Sequence, residues 1–139
     1  MPLEKNCGCK GSILVVDDYD ANIFTMEQML GELFGIEIDW AMDGEEAVRK
    51  VKLNILKDCC DERYRLVFMD INMPVLDGYG ATEQILALIA QINDSKSIKD
   101  PVEVPVVAVT SFDNEGNIRR CFDVGMKEVL NKPVACKEL

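Results

Sequence analysis

The sequence predicts an α/β fold in which five short strands alternate with helices and build one parallel sheet covered on both faces. Three observations lead there. Apolar runs such as Ile13 to Val16, Leu66 to Met69 and Val104 to Val109 are nearly continuous, as in strands buried on both sides. Stretches with apolar residues at helical spacing separate them. Each run also stops at polar chemistry: Asp17-Asp18, Asp70, Thr110-Ser111 and, after a shorter run, Lys132.

In chain order, residues 1–11 are polar with Gly8 and Gly11, and read as a flexible N-terminal tail before a domain spanning 12–139. Ile13 to Val16 is the first strand. Asp20 is a plausible N-cap for a helix carried by Ile23, Met26, Leu30 and Leu33-Phe34. Gly35 closes that helix. Ile36 to Ala41 alternates enough for a more peripheral second strand. Asp43-Gly44 reads as a turn, and Glu45 to about Cys59 as a helix with Ala47, Val48, Val51, Leu53, Ile55 and Leu56 on its apolar face. Leu66 to Met69 leads into Asp70. After a turn with Pro74 and Asp77-Gly78, a third helix starts near Gly78 and is marked by Ala81, Ile85, Leu86, Ile89 and Ile92. Asn93 to Glu103 reads as a polar surface loop. Val104 to Val109 is the fourth strand. Asp113 caps a fourth helix through Ile118, Cys121 and Phe122, closed by Gly125, and Glu128 to Asn131 is the fifth strand before Lys132-Pro133.

Composition narrows the function. In 139 residues, 25 acids against 15 bases give a net charge of −10, which repels phosphate backbones and argues against direct nucleic-acid binding. No apolar run approaches the ~20 residues of a membrane span, and residues 1–12 hold no secretory h-region, so a cytoplasmic protein is expected. The six cysteines form no Cys-x-x-Cys pair, and free thiols in a reducing compartment are the default. There is no histidine, which excludes a Ser-His or Cys-His nucleophile and excludes the chain as its own phosphohistidine donor.

In a parallel sheet the carboxyl ends of the strands share one edge, where such folds bind ligands. Asp17, Asp18, Asp70, Thr110 and Lys132 therefore converge in one crevice. Three carboxylates within about 4 Å repel by roughly 4 kcal/mol per pair at an effective dielectric near 20. Lys132 offsets part of this. A hard divalent cation suits the rest, and an all-oxygen site with open positions suits Mg²⁺ sharing phosphate oxygens. A carboxylate beside Mg²⁺, a lysine and a hydroxyl is equipped to attack phosphorus and form an aspartyl phosphate.

The motifs Ile-Leu-Val-Val-Asp17-Asp18, Val-Phe-Met-Asp70-Ile-Asn-Met-Pro-Val-Leu-Asp-Gly, Val-Ala-Val-Thr110-Ser and Val-Leu-Asn-Lys132-Pro resemble, in this order, a response-regulator receiver domain of two-component phosphorelay signalling. Asp-Ile-Asn-Met-Pro, with Asn22 after the acidic pair, is most similar to receivers of hybrid histidine kinases. The resemblance implies a flavodoxin-like, doubly wound sheet of order 2-1-3-4-5. It implies Asp70 as phosphoacceptor, with Mg²⁺ on Asp18, Asp70 and the Asn72 carbonyl and Asp17 acting through water. Thr110, Lys132 and the Ser111 N–H would bind the phosphoryl group, and the Lys132–Pro133 bond would be cis. The implied partner is a histidine kinase or histidine phosphotransfer protein, and the implied function a conformational switch that catalyses only its own phosphorylation and dephosphorylation. Val129 stands where the family usually carries an aromatic switch residue. Only seven residues follow Lys132, so the fifth helix is expected to be truncated: either the chain is a fragment of a larger hybrid kinase or something else covers that edge.

Three rivals make different demands. A phosphatase with an aspartyl nucleophile wants a second Asp two positions on, where this chain has Asn72. A flavodoxin-like cofactor binder wants hydroxyl and glycine residues after strand one, where Asp17-Asp18-Tyr19-Asp20 would repel FMN. A docking module with unused phosphorylation has no need of all five site residues.

Overall fold

The computed structural model describes residues 11–57, 63–95, 102–111, 115–132 and 134. The strands are β1 (Ile13–Val16), β2 (Ile38–Ala41), β3 (Leu66–Asp70), β4 (Val106–Thr110) and β5 (Glu128–Asn131). The helices are α1 (Asp20–Phe34), α2 (Gly44–Leu56), α3 (Gly78–Ser95) and α4 (Glu115–Asp123). All strand pairs are parallel and the sheet order is β2-β1-β3-β4-β5, as expected. The tail 1–10, Cys59, Asp113, Pro133 and the expected short fifth helix lie outside the described residues. Gly11, expected in the tail, is buried with φ 73°, its α-carbon against the backbone of residues 37–39.

Strand residues alternate between two apolar layers, as the period of two demands. Leu14, Val16, Val67, Met69, Val106 and Ala108 face α2, α3 and α4, with Ala47, Val51, Ile85, Ile89 and Cys121 opposite them. Ile13, Val15, Phe68 and Val109 face α1, where Ile23, Met26 and Leu30 meet them. Each such buried aliphatic side chain contributes about 1.5–3 kcal/mol of transfer free energy, which is why β1, β3 and β4 hold no polar residue before their last position, whereas the edge strands β2 and β5 carry Asp39 and Glu128.

Several boundaries differ from the sequence expectation. Asp20 is the first helical residue of α1 rather than its cap; Tyr19 occupies the cap without a side-chain bond, its N–H taken by Asp17 Oδ1 at 3.0 Å. Asp43 is no mere turn residue. Its Oδ1 accepts from the Glu46 N–H at 2.7 Å and caps α2, which starts at Gly44. Leu53 and Leu56 are 59% and 50% exposed, so they are not part of the buried face of α2. That face runs through Gly44, Ala47, Val51, Asn54 and Ile55, and Leu53 falls two residues, about 200°, beyond Val51. Asn93 belongs to α3 rather than to a loop: its Oδ1 accepts from the Val102 N–H at 2.8 Å, and its Nδ2 donates to the Val102 carbonyl at 3.0 Å. This pair of bonds pins the returning chain to the helix. β2 begins at Ile38 and β4 at Val106, two residues later than expected, and Phe122 on α4 is 47% exposed.

A candidate phosphoacceptor site at the strand ends

Asp17 follows β1 directly, Asp70 ends β3, Thr110 ends β4 and Lys132 follows β5. The alternation that turns Val15 and Phe68 toward α1 also turns Asp17 and Asp70 that way. Lys132 continues the same parity from Leu130, so its amine meets both acids: Nζ lies 2.9 Å from Asp17 Oδ2 and 3.1 Å from Asp70 Oδ1. Its backbone is fixed as well, the Lys132 N–H donating to the Thr110 carbonyl at 3.0 Å. Asp17 is held on every side. Oδ1 accepts from the Tyr19 N–H, and Oδ2 accepts from Asn22 Nδ2 at 3.2 Å in addition to Lys132.

Oxygens of Asp17, Asp18 and Asp70 all lie within 4.8 Å of one another. Asp17 and Asp70 are buried and Asp18 is exposed. At that separation each pair repels by about 3 kcal/mol at an effective dielectric of 20, and one lysine cannot balance three charges. Burial and the neighbouring Asp17 charge push the Asp70 carboxyl up from 3.8 to about 6, against the pull of Lys132. Burial works to lower the Lys132 amine, but hydrogen bonds and charges from Asp17 and Asp70 outweigh it and hold the amine above its usual range. Asp70 is thus ionised at neutral pH yet poorly compensated. A hard divalent cation on the three carboxylate oxygens fits this cluster by charge and by donor type.

The remaining expected residues fall on two sides of this cluster. Thr110 is buried, while Ser111 is exposed and lines, with Asp17, Asn22, Met26 and Lys132, a groove of about 400 Å³ between α1 and the ends of β4 and β5. Asn72 is exposed and lines a second groove of about 310 Å³ with Ile71, Asp77, Tyr79, Asn117 and Arg120. Val129 is half-buried and packs into the layer that holds α2, α3 and α4.

The turn from β3 into α3 is built for close approach. A β-carbon on Gly78 would stand 2.3 Å from the Asp70 carbonyl oxygen, so only glycine brings α3 this near the acid. The Gly78 N–H donates to the Ile71 carbonyl at 2.9 Å, and Asp77 Oδ1 caps α3 by accepting from the Gly80 N–H at 2.9 Å. Between them the Leu76 N–H donates to the Pro74 carbonyl at 2.8 Å across Val75, whose φ is +69°. Such a φ on a β-branched residue costs of the order of 1–3 kcal/mol. The sequence signals these roles only as a generic Asp-Gly turn, and it gives no sign of the packing of Tyr79 against α4.

A family model for the response regulator receiver domain matches residues 13–139. Among curated proteins, the osmosensing histidine protein kinase SLN1 of Saccharomyces cerevisiae is 37% identical over 123 residues, covering 88% of this chain and 9% of that protein. The chain spans less than a tenth of the length of the first curated relatives it matches. Two solved structures are similar. The receiver domain of the histidine kinase CKI1 from Arabidopsis thaliana, complexed with Mg²⁺ and BeF₃⁻, has a TM-score of 0.74 at 27% identity, covering 86% of this chain and 79% of that one. The receiver domain of Ssk1, co-crystallised with the histidine phosphotransfer protein Ypd1 of Saccharomyces cerevisiae, has a TM-score of 0.73 at 27% identity, covering 91% and 81%. With its sheet order, the acids and lysine gathered at its strand ends, and a family match from the first strand onward, this chain belongs to the response regulator receiver domains.

Proposed function

We propose that the chain is a phosphoacceptor switch in which Asp70 receives a phosphoryl group from a phosphohistidine of a partner protein. The observation that carries this reading is the ion-paired cluster of Asp17, Asp18, Asp70 and Lys132 at the carboxyl edge of the sheet. Asp70 is the nucleophile: one carboxylate oxygen attacks phosphorus, the P–N bond breaks, and the departing imidazole nitrogen keeps the electron pair and is protonated. Mg²⁺, when bound by Asp17 (through water), Asp18, Asp70 and the Asn72 carbonyl, supplies the positive charge that the phosphoryl oxygens and the crowded carboxylates need. Lys132 holds Asp70 by Oδ1 beforehand and contributes its charge to the phosphoryl oxygens. Thr110 and the Ser111 N–H bind the same oxygens from the end of β4. Asp17 keeps Lys132 in place through the exchange, itself held by Asn22 and Tyr19.

The Ssk1–Ypd1 complex and the Mg²⁺–BeF₃⁻ complex of the CKI1 receiver support a histidine phosphotransfer protein or histidine kinase as donor, and Mg²⁺ as cofactor. The relationships to SLN1 and to two hybrid signal transduction histidine kinases of Dictyostelium discoideum support a hybrid histidine kinase as the parent chain; a receiver over 12–139 and a cytoplasmic location belong to the same reading. Among the described residues no helix is long and apolar enough to cross a membrane. Beyond its own phosphorylation and dephosphorylation the domain is not an enzyme; Asn72 offers an amide where an aspartyl phosphatase needs an acid. Fluorine NMR of beryllofluoride with Mg²⁺ tests the reading. A bound resonance that requires Mg²⁺ and vanishes in Asp70→Asn is expected. Absence of binding to the wild-type chain would leave a docking module instead.

A further inference from the structure

The domain needs a route from Asp70 to its surface, and on β5 Val129 stands where the family usually carries an aromatic switch residue. The structure offers another. Tyr79 sits in the first turn of α3, directly after Gly78, whose α-carbon packs on the Asp70 carbonyl. Its side chain is buried and reaches across to α4, where the hydroxyl donates to the Asn117 carbonyl at 3.3 Å. The guanidinium of Arg120 lies 4.0 Å from the centre of the Tyr79 ring, and the Cys121 thiol is within hydrogen-bonding reach of the same hydroxyl.

Elsewhere α4 is lightly held. Of its residues only Cys121 is buried, whereas α1 and α2 bury three and five respectively. A short helix with one buried residue is at the low end of local stability, where moving elements are found. The Tyr79 contacts thus add to a small buried anchor at Cys121, and they arise from the turn that also holds the Asn72 carbonyl. Burial and the facing Cys121 thiol raise the Tyr79 phenol, and burial raises the Cys121 thiol, so both are neutral at physiological pH and the contact does not depend on their ionisation.

We infer that Tyr79 latches α4 to the Asp70 turn, and that this contact, rather than a ring on β5, carries the state of Asp70 to α4. Phosphorylation rearranges the turn through Asn72 and pulls on β4 through Thr110 and Ser111. Both motions act on the two ends of the Tyr79–α4 contact. The inference rests on Asp70 being the phosphoacceptor, and its test separates the two ideas.

The measurement is amide hydrogen exchange of residues 115–123 in the full chain, alone and with Mg²⁺ and beryllofluoride. Without ligand, Arg120→Gln is expected to speed α4 exchange roughly two- to fivefold, the loss of a cation–π contact, and Tyr79→Ala to speed it more, since the buried ring and the bond to Asn117 go as well. This arm needs no phosphorylation chemistry. With ligand, the wild type is expected to change its α4 exchange, and Tyr79→Ala to bind beryllofluoride but lose most of that change. Tyr79→Phe keeps the ring and the fold and is expected to retain the cation–π part of the protection. Wild-type α4 rates in both unliganded variants, or a full α4 response in Tyr79→Ala, would overturn the latch. A wild type that binds no beryllofluoride would overturn the phosphoacceptor reading while leaving the unliganded arm to judge the latch.

Discussion

Asp70 sits in a site that folding alone would not choose. Its carboxyl titrates near 6 in the folded chain and at 3.8 as a free group. A raised carboxyl leaves the folded state binding the proton more tightly, so this group's contribution is full below about pH 4 and is lost as pH rises toward 6. Two pH units correspond to nearly 3 kcal/mol at most, and solvent screening at a cleft edge reduces this to about 1–2 kcal/mol. In a Mg²⁺-free buffer, Asp70→Asn should therefore be more stable than the wild type at pH 7 by about 1–2 kcal/mol, with the gap closing near pH 4. Thermal melts at the two pH values check this, and an Asn variant of equal or lower stability at pH 7 would show that Lys132 already balances the cluster. A second residue carries a packing constraint of the same functional kind. Gly78→Ala drives a methyl group to 2.3 Å from the Asp70 carbonyl, and the helix must move away. A loss of at least ~2 kcal/mol in denaturant unfolding is expected, with weakened Mg²⁺ affinity because the turn bearing Asn72 shifts.

At the level of the elements, the strands were legible and the helix faces less so. Continuous apolar runs located β1, β3 and β4 to within two residues, because a strand buried on both faces leaves no room for polar residues until its end. On helix α2, Leu53 and Leu56 are exposed although their mutual spacing suits a buried face, since an apolar residue raises no objection to exposure and spacing alone does not say where the buried stripe ends. The caps at Asp43 and Asp77 look like turns in the sequence; both features share the same residue types, and only the distance from carboxylate to N–H separates them. Helix α3 hides a feature with no sequence signature at all. Thr82 is fully buried, and its Oγ1 has no hydrogen-bond partner among the described residues. Removing an unsatisfied buried hydroxyl while keeping the shape should help, so Thr82→Val is expected to gain about 1 kcal/mol and raise the melting temperature by about 3 °C. Calorimetry decides the point; a loss of stability would mean that the hydroxyl is satisfied in solution.

Across the whole molecule, the site exists because the topology sums four local facts. The ends of β1, β3, β4 and β5 are polar for no structural reason of their own, and parallel order brings those ends to one edge, where two acids and a lysine pair at about 3 Å. That convergence was readable from the sequence, since strand ends and parallel order suffice for it. The approach of Gly78 to Asp70, the anchoring of Asp17 by Tyr19 and Asn22, and the contacts of Tyr79 with α4 were not, because they depend on tertiary distances between helices and turns. The central claim is that Asp70 accepts phosphoryl from a partner histidine, and phosphotransfer measures it most directly. The chain is mixed with a radiolabelled, phosphorylated histidine phosphotransfer protein, with and without Mg²⁺. Label is expected to move to this chain only with Mg²⁺, to be released by hydroxylamine as an acyl phosphate, and to be absent in Asp70→Asn. Label that persists in Asp70→Asn, or a wild-type chain that takes none, would contradict the account.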